Sequence, residues 1–262
     1  MKILELLNSL ELPFGIIPFS ECEILKPHLI EKANIAPKTA IMLLAPYYVE
    51  GLSNRNVSLY AVSRDYHTYF SNMFNDAIPK LKEIYPDNSF VGFADHSPIN
   101  EVAAASKAGL GAVGDNNLLI NHIYGSYIFI GEILSDLPFS EGYRTGNGKI
   151  AECLHCGQCK EKCPKTDACL SAITQKKGEL TSEEKTLIIE NGCAWGCDIC
   201  QAVCPMNEGI RETEIDFFKA DLLPKIDAEK INSMSDDEFK SRAYSWRGRG
   251  CILRNLDLLN NS

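Results

Sequence analysis

Four short apolar runs in the first part of the chain have the length and composition of β-strands. They are rich in Ile, Phe, Leu and Tyr and read "GIIPFS" (15–20), "TAIMLLAPY" (39–47), "SFVGFAD" (89–95) and "GSYIFIGEIL" (125–134). Between the second and third runs, residues 59–85 repeat apolar side chains every three or four positions, which predicts a helix that Pro79 kinks or breaks. Because strands alternate with helical segments, we expect a mostly parallel sheet that is covered on both faces.

The segment 89–117 reads as a strand, a turn, a helix and a Gly-rich turn, and it contains one well-placed acid. Ser97 is a candidate N-cap and Pro98 suits the first helical position. Asp95 is therefore expected at the carboxyl end of a strand, facing a helix N-terminus, where open α/β sheets bind ligands. The glycines at 109–114 would allow close approach of a large ligand, although they do not form a dinucleotide-binding motif. The alternative is that Asp95 and the glycines only form turns.

Seven cysteines form two closely spaced runs, "CLHCGQCKEKCP" (153–164) and "CDICQAVCP" (197–205). The spacing C-x2-C-x2-C-x3-C-P is typical of bacterial ferredoxins with two 4Fe–4S clusters, in which the last cysteine of each run binds the other cluster. A single four-cysteine zinc site is the alternative, and the overlapping x2 spacings would crowd it. The predicted ligands are Cys153, Cys156, Cys159 and Cys204 for the first cluster and Cys163, Cys197, Cys200 and one more for the second.

Spacing alone does not decide the eighth ligand, because Cys169 and Cys193 both lie between the two runs. Cys22 and Cys251 lie outside the runs, and we expect them to be small buried hydrophobic residues. The total of eleven cysteines is odd, which argues against a framework of disulfides.

Length and charge narrow the class of protein. The chain has 262 residues, enough for a large domain with a smaller one, and a net charge of −9, which argues against a general nucleic-acid binder. The segment "MKILELLNSLELPF" has no secretory core, and no apolar run approaches the roughly 20 residues of a membrane helix. We therefore expect a soluble cytoplasmic protein without membrane contact.

One C-terminal segment, "SRAYSWRGRGCILR" (241–254), is locally basic and is the best candidate for contact with RNA. The alternative is a helix with a solvated cationic face. The segment has no acid, and its basic residues are Arg242, Arg247, Arg249 and Arg254.

Three regions are predicted: an α/β region at 1–150, a cluster module at 151–209 and a helical segment at 210–262. The cluster module contains a predicted helix at 182–190, which begins with a capping box formed by Thr181 and Glu184 and stops at Gly192.

The chain resembles the epoxyqueuosine reductase family, whose members use cobalamin and two 4Fe–4S clusters to reduce epoxyqueuosine in tRNA. The resemblance implies an α/β (α+β) cobalamin-binding domain, a bacterial ferredoxin-like module and a helical tail. The matching stretches follow the family's order: "LLAPYY" (43–48), "YAVSRDYH" (60–67), "DHSP" (95–98), "AGLGAVGDNNLLI" (108–120), "YGSYIFIGEIL" (124–134), "CLHCGQCKEKCP", "CLSAITQKKGEL" (169–180), "GCDICQAVCPMN" (196–207) and "WRGRGCILRN" (246–255).

The resemblance also implies roles for single residues. Asp95 matches the family's proton donor, and Cys169 matches a ligand of the second cluster, which favours it over Cys193. His67 could instead be a helix histidine satisfied by the core or by solvent. The residues on or beside motifs that surround the family's base-off cobalamin are Tyr66, His67, Asp95, His96, Ser97, Gly114 and Asn116.

Three departures from the family weaken the expectation of tRNA binding. Asp115 replaces the lysine of a G-K-N motif, and Val102 replaces an arginine that follows the D-x-x-P motif. The sequence also ends at 262, where full-length relatives continue into a helical-repeat domain that helps to hold tRNA.

The implied function is reduction of epoxyqueuosine to queuosine in tRNA, with single electrons from an external donor of the flavodoxin or ferredoxin type. Two alternatives remain at this point. One is a cobalamin and iron–sulfur reductase of another small substrate, similar to reductive dehalogenases. The other is a non-catalytic ferredoxin-type electron-transfer protein.

Overall fold

The computed structural model describes residues 2–143, 152–164 and 168–261, which divide into two compact units. The first unit contains the chain up to Pro46, His67–Cys156 and Glu208–Ile210. The second contains Tyr47–Tyr66, Gly157–Asn207 and the chain from Arg211 onward. The predicted boundary at 150 lies outside the described residues, and the three predicted regions stay a prediction.

A four-stranded sheet forms the centre of the first unit. All four apolar runs are strands, as predicted, and their spatial order is β1-β2-β6-β3. Two further short strands, β4 and β5, form a separate hairpin. The strands are β1 (Phe14–Pro18), β2 (Thr39–Pro46), β3 (Phe90–Ala94), β4 (Ala112–Val113), β5 (Leu119–Ile120) and β6 (Ile128–Ser135).

The expectation of a mostly parallel sheet is wrong, because every neighbouring pair in the four-stranded sheet is antiparallel. The apolar runs of β2 and β6 are nearly continuous because these two central strands are buried on both faces. A continuous apolar run indicates that a strand is buried on both faces. The direction of a strand relative to its neighbours depends instead on how the chain connects them. The last strand in the sequence, β6, inserts between β2 and β3 and runs opposite to both.

Helices cover the two faces of this sheet. On one face, Ile3 of the first helix and Leu81 of the third pack with Ile133 of β6. On the other face, Ala104 of the fourth helix packs with Met42 of β2. These helices are α1 (Lys2–Asn8), α2 (Pro27–Ala33), α3 (Tyr66–Ile84) and α4 (Glu101–Lys107).

The fourth helix begins later than the sequence predicts. Asn100, not Ser97, is its N-cap, and the Asn100 side chain accepts a hydrogen bond from Ala103 N at 3.2 Å. The residues before it are held in an extended conformation, since Pro98 O accepts hydrogen bonds from the backbone N–H groups of Leu25 and Lys26. These contacts remove residues 97–99 from the helix.

The second unit is built from short helices around the second cysteine run. The predicted capping box of Thr181 and Glu184 is present, and Gly192 ends that helix in the left-handed conformation. Among the described residues, no helix is both long enough and apolar enough to cross a membrane. The helices are α5 (Gln158–Glu161), α6 (Leu170–Thr174), α7 (Ser182–Asn191), α8 (Ile199–Ala202), α9 (Asp216–Lys219), α10 (Ala228–Ser233), α11 (Asp236–Lys240) and α12 (Arg249–Asn260).

Helix α3 lies so close to the sheet that β6 has room only for a glycine at one position. A Cβ atom added to Gly131 would lie 2.2 Å from the Phe70 ring. We predict that Gly131→Ala destabilises the protein by about 1–3 kcal/mol, because the ring must leave its packed position. Chemical unfolding measures this loss. Gly142→Ala is the control, since among the described residues its Cβ would meet only Ser140 Oγ, at 3.8 Å. Equal stability of both variants and the unaltered chain would contradict the packing argument.

Candidate functional site

Asp95 occupies a strained turn directly after β3. Its φ is 62°, in the left-handed region that non-glycine residues rarely adopt, and His96 N donates a hydrogen bond to Ala94 O at 2.7 Å across the turn. The Asp95 side chain is 65% exposed. Strained backbone of this kind is concentrated at functional sites. The turn therefore presents a carboxylate at the end of an edge strand, as the sequence predicted.

His67 lies beside this carboxylate. Its Nε2 atom is 3.7 Å from Asp95 Oδ2, and its side chain is 49% exposed. His67 is thus not a buried core histidine. A protonated imidazole at this distance attracts the carboxylate electrostatically, so the first unit brings together an acid and a titratable base.

Two further acids lie on the inner side of the Asp95 turn. Burial raises the pKa of Glu101 to about 7, and the nearby charge of Asp95 raises it further. Burial also raises the pKa of Glu132 to about 8, and the Ser97 hydrogen bond opposes this shift. The turn therefore combines an exposed carboxyl group with two that favour the neutral form.

A cavity of about 430 Å³ adjoins His67. Its lining includes Phe70, Phe74, Gly92 and Ala94, so it lies between α3 and the edge strand β3. Its lining combines apolar side chains with the polar side chains of His67, Ser71 and Asn75.

Gly114 and Asn116 lie in the loop of the β4–β5 hairpin. Gly114 N donates to Leu118 O at 2.8 Å, and Leu118 N donates to the Asn116 side chain at 3.2 Å. A Cβ atom on Gly114 would lie 2.6 Å from Asn116 Oδ1, so a larger residue there would displace the Asn116 side chain. Both residues have a structural explanation within the hairpin itself.

The same hairpin contacts the first cysteine run through Asp115. Its Oδ1 atom lies 2.9 Å from His155 Nδ1, and one ligand atom from each of Asp115, His155 and Cys153 lies within 4.8 Å of the others. Asp115 therefore has a local partner, His155, which lies between Cys153 and Cys156 in the sequence. These donors also suit zinc, although Cys153 is a predicted cluster ligand.

Three predicted ligands of the second cluster lie near one another in the second unit. Burial raises the pKa of Cys197 to about 11, and charges on Cys169 and Cys200 raise it further. Cys169 is exposed at the N-cap of α6. The fourth ligand, Cys163, is half-buried.

Cys193 has a different environment. Its Sγ lies 3.3 Å from Trp195 O and 3.4 Å from Gly196 O, with the thiol as donor. Burial raises the pKa of Cys193 to about 12. A thiolate at this position would face two carbonyl oxygens, so these surroundings favour the protonated thiol.

Two other cysteines also match the expectation of apolar packing. Cys251 is buried, and Cys22 is half-buried against the apolar cluster below α4. Burial raises the pKa of Cys22 to about 12.

Asp198, which the sequence analysis did not single out, anchors a loop beside the second cysteine run. Its buried carboxylate accepts hydrogen bonds from Arg55 Nη2 at 2.9 Å, Arg55 Nε at 3.2 Å, Leu59 N at 2.7 Å and the Ser58 hydroxyl. The sequence shows only that Asp198 lies between two predicted cluster ligands. Nothing in it indicates that this aspartate binds residues some 140 positions earlier.

The basic segment 241–254 does not form a row of free arginines. Arg242 donates to Asp221 O at 2.6 Å, Arg249 to Met234 O at 2.8 Å and Arg254 to Gly178 O at 2.6 Å. Arg242 is buried, so neither expectation, an RNA-facing patch or a solvated cationic face, holds for it, whereas Arg249 and Arg254 are partly exposed. Arg247 differs, because its guanidinium lies 3.7 Å from the ring centroid of Trp246, which is exposed.

The remaining predicted cofactor contacts lie in different surroundings. Tyr66 is half-buried at the start of α3 and belongs to the second unit. His96 is exposed beside Asp95, whereas Ser97 is buried.

Removal of the Asp198 carboxylate should strongly destabilise the second unit. We predict that Asp198→Ala costs about 3–5 kcal/mol, because it leaves Arg55 and two further donors without their acceptor. Thermal unfolding measures the loss. Asp216→Ala is the matched control, since Asp216 pairs with Lys219 at 2.9 Å but is 96% exposed, and its loss should cost about 0–1 kcal/mol. Similar losses in both variants would argue against the anchoring role.

Comparison with known sequences identifies relatives that share one name. Epoxyqueuosine reductase of Cyclobacterium marinum is 32% identical over 249 residues, which cover 86% of this chain and 76% of the relative. The enzyme of Leadbetterella byssophila is 32% identical, and the matched region covers 79% of this chain and 69% of the relative. The enzyme of Lactococcus garvieae is 32% identical, and the matched region covers 73% of this chain and 57% of the relative. The chain thus spans about half the length of several curated relatives. No protein-family model matches it.

Solved structures share the fold. Epoxyqueuosine reductase of Streptococcus thermophilus superposes with a TM-score of 0.78 at 22% identity, covering 98% of this chain and 80% of the other. A structure of epoxyqueuosine reductase with an epoxyqueuosine-modified tRNA-Tyr stem loop gives a TM-score of 0.77 at 22% identity, with the same coverage. On the strength of the sequence relatives, this chain belongs to the epoxyqueuosine reductase family.

Proposed function

We propose that this chain reduces epoxyqueuosine to queuosine in tRNA, using cobalamin and two 4Fe–4S clusters. The observation that carries the proposal is the strained, exposed turn of Asp95 with His67 beside it, in a member of this family. The relatives carry the name of this activity, and one solved relative holds a modified tRNA stem loop.

The cysteines fit two iron–sulfur clusters. Thiolates are the ligands that such clusters require, and Cys169, Cys197 and Cys200 interact electrostatically within the second unit. We assign Cys169, not Cys193, as the eighth ligand because the Cys193 thiol is already bonded to two carbonyl groups. The proposed set is Cys153, Cys156, Cys159 and Cys204 for one cluster and Cys163, Cys169, Cys197 and Cys200 for the other.

The Asp95 turn also fits one face of a cobalamin. If cobalamin binds here, the exposed residues of this turn would hold its corrin ring. Exposed side chains of Asp95, His96 and His67 are available for contact there. Ser97 contributes by holding the turn, and Tyr66, Gly114 and Asn116 remain proposed contacts from the family resemblance.

Reduction of the epoxide consumes two electrons and two protons and releases the oxygen as water. When bound, the clusters supply single electrons from an external flavodoxin- or ferredoxin-type donor, and the corrinoid supplies a strongly reducing, nucleophilic metal. Asp95 donates a proton to the departing oxygen as a general acid. His67, 3.7 Å away, balances the negative charge left on Asp95 and can return a proton to it.

The surface proposed to contact RNA is smaller than the whole basic segment 241–254. Three arginines of the basic segment bind backbone carbonyls, whereas Trp246 is 57% exposed with Arg247 stacked on it. An aromatic ring paired with a guanidinium stacks on unpaired bases without requiring a broad positive field. This suits a chain with a net charge of −9.

Turnover of a defined RNA tests the function directly. We predict that the anaerobically reconstituted chain, with cobalamin and a low-potential reductant, converts epoxyqueuosine in an anticodon stem loop. Asp95→Asn should lower the rate by about 100-fold or more while iron and cobalamin content stay unchanged, because only the proton donor is lost. Mass spectrometry of the digested nucleosides measures conversion.

Asp87→Asn is the matched control, because Asp87 is an exposed aspartate of the same unit. No conversion by the unaltered chain would contradict the proposed function. Full activity of Asp95→Asn would instead remove Asp95 from the chemistry.

Iron content distinguishes the two candidates for the eighth ligand. We predict that Cys169→Ser lowers bound iron from about eight to about four per chain, because the second cluster loses a thiolate. Cys193→Ser should retain about eight irons. Iron analysis together with visible absorbance measures this difference, and the opposite result would assign the ligand to Cys193.

A further inference from the structure

Glu132 is an acid in the middle of a buried strand. It lies on β6, directly opposite Met42 of β2 and Phe93 of β3, and its exposed fraction is 1%. Opposed residues of antiparallel strands share a face, and here that face packs against the apolar side of α4. Among the described residues, Glu132 Oε2 has no hydrogen-bond partner. A buried carboxyl group in such surroundings requires an explanation.

Hydrogen-bond geometry around Ser97 indicates where the proton of Glu132 lies. Ser97 Oγ is 2.8 Å from Glu132 Oε1 and 2.9 Å from Ile99 O, and it accepts a bond from Ile99 N at 3.0 Å. A hydroxyl group has one proton and two lone pairs. If Glu132 were ionised, that proton could serve only one of the two oxygens, and Oε2 would be a buried charge without a donor.

A neutral Glu132 satisfies every hydrogen bond around Ser97. The protonated Oε1 donates a hydrogen bond to Ser97 Oγ, and the Ser97 hydroxyl donates one to Ile99 O. The second lone pair of Ser97 Oγ accepts a hydrogen bond from Ile99 N. Oε2 is then a neutral carbonyl oxygen, which costs far less to bury than a charged one.

This chain of bonds ends two residues from Asp95. The preceding side of the turn is fixed by β3, and the following side is fixed by Ser97 and by Pro98 O, which binds Leu25 N and Lys26 N. Because the backbone at Asp95 is strained, it relaxes unless both sides are held.

We propose that Glu132 is a neutral carboxylic acid that donates a hydrogen bond to Ser97 and thereby holds the catalytic turn of Asp95 in its strained conformation. Glu132 is thus a positioning residue, and its effect on turnover rests on the proposed function. Its protonation and its hold on the turn do not depend on that function.

The charges around Glu132 agree with this proton state. Burial raises the pKa of Glu132 to about 8, and Glu101 of α4 raises it further. Ser97 and Lys26 act in the opposite direction, and Cys22 also faces the group. Since the folded-state pKa lies above the usual value near 4.5, the bond is intact at neutral pH and is lost as the pH rises through about 8.

Infrared spectroscopy of the full chain tests the proton state. The difference spectrum between the unaltered protein and Glu132→Gln should contain a carboxylic-acid C=O band at pH 7, and this band should disappear when the pH is raised above about 9. Glu101 is common to both proteins and cancels. Absence of the band at pH 7 overturns the proposal.

Hydrogen exchange tests the hold on the turn. Glutamine can donate its amide N–H to Ser97 as the neutral acid does, whereas leucine cannot. We expect the amides of His96, Ser97 and Ile99 to exchange about tenfold faster or more in Glu132→Leu and in Ser97→Ala, and at the native rate in Glu132→Gln. Raising the pH from 7 to 9 should reduce their protection, corrected for intrinsic rates, in the unaltered chain but not in Glu132→Gln.

Equal protection in all variants overturns the proposal. If Glu132→Leu fails to fold, Ser97→Ala and Glu132→Gln carry the same comparison.

Turnover links the bond to Asp95. The unaltered enzyme should lose rate above about pH 8, and Glu132→Gln should remove this alkaline limb and restore most of the rate that Ser97→Ala or Glu132→Leu loses. A decline above about pH 8 that is as large in Glu132→Gln as in the unaltered enzyme overturns the positioning role. If the unaltered chain does not convert the stem loop, the proposed function fails, while the infrared and exchange results still decide the state of Glu132.

Discussion

A loop that presents a reactive side chain lacks the regular backbone hydrogen bonds of a helix or a strand, and in both units a buried carboxyl group supplies an anchor. In the second unit, Asp198 fixes residues 55–59 beside the second cysteine run. In the first unit, Glu132 contacts Ser97 behind the Asp95 turn. The chemistry proposed for this chain depends on these two anchors, because neither loop has enough regular structure to hold its position.

The two anchors differ in charge because they differ in the number of donors. Asp198 receives hydrogen bonds from a guanidinium, a hydroxyl and a backbone N–H, which together compensate a buried negative charge. Within the described part of the chain, Glu132 has a single hydrogen-bond partner, the Ser97 hydroxyl, and is almost fully buried, so burial favours its neutral form. The surroundings of each carboxyl group thus decide whether it acts as an acceptor or as a donor.

Sequence patterns predicted the parts that depend on local chemistry. Apolar runs located the four main strands because burial selects their composition, and Thr181 with Glu184 located a helix start because both hydrogen bonds are local. The direction of the strands and the true N-cap at Asn100 could not be read in this way. They depend on how β6 inserts into the sheet and on the contact of Pro98 with residues 25–26, which are distant in the sequence. The same reason hid the pairing of Asp198 with Arg55.

Departures from a family motif acquire meaning only when their partners are known. Asp115 replaces a basic residue, which in the sequence alone looks like a plain loss of attraction for RNA. In the structure its carboxylate lies 2.9 Å from His155, which flanks two predicted cluster ligands. The Asp115 carboxylate therefore contacts an imidazole within the protein. The arginines of the C-terminal segment look like a gain of positive charge in the sequence. In the structure, three of them donate hydrogen bonds to backbone carbonyl groups. Net charge and motif counts therefore do not describe the surroundings of these charged side chains, and in this segment the exposed ring is that of Trp246, with the Arg247 guanidinium stacked on it.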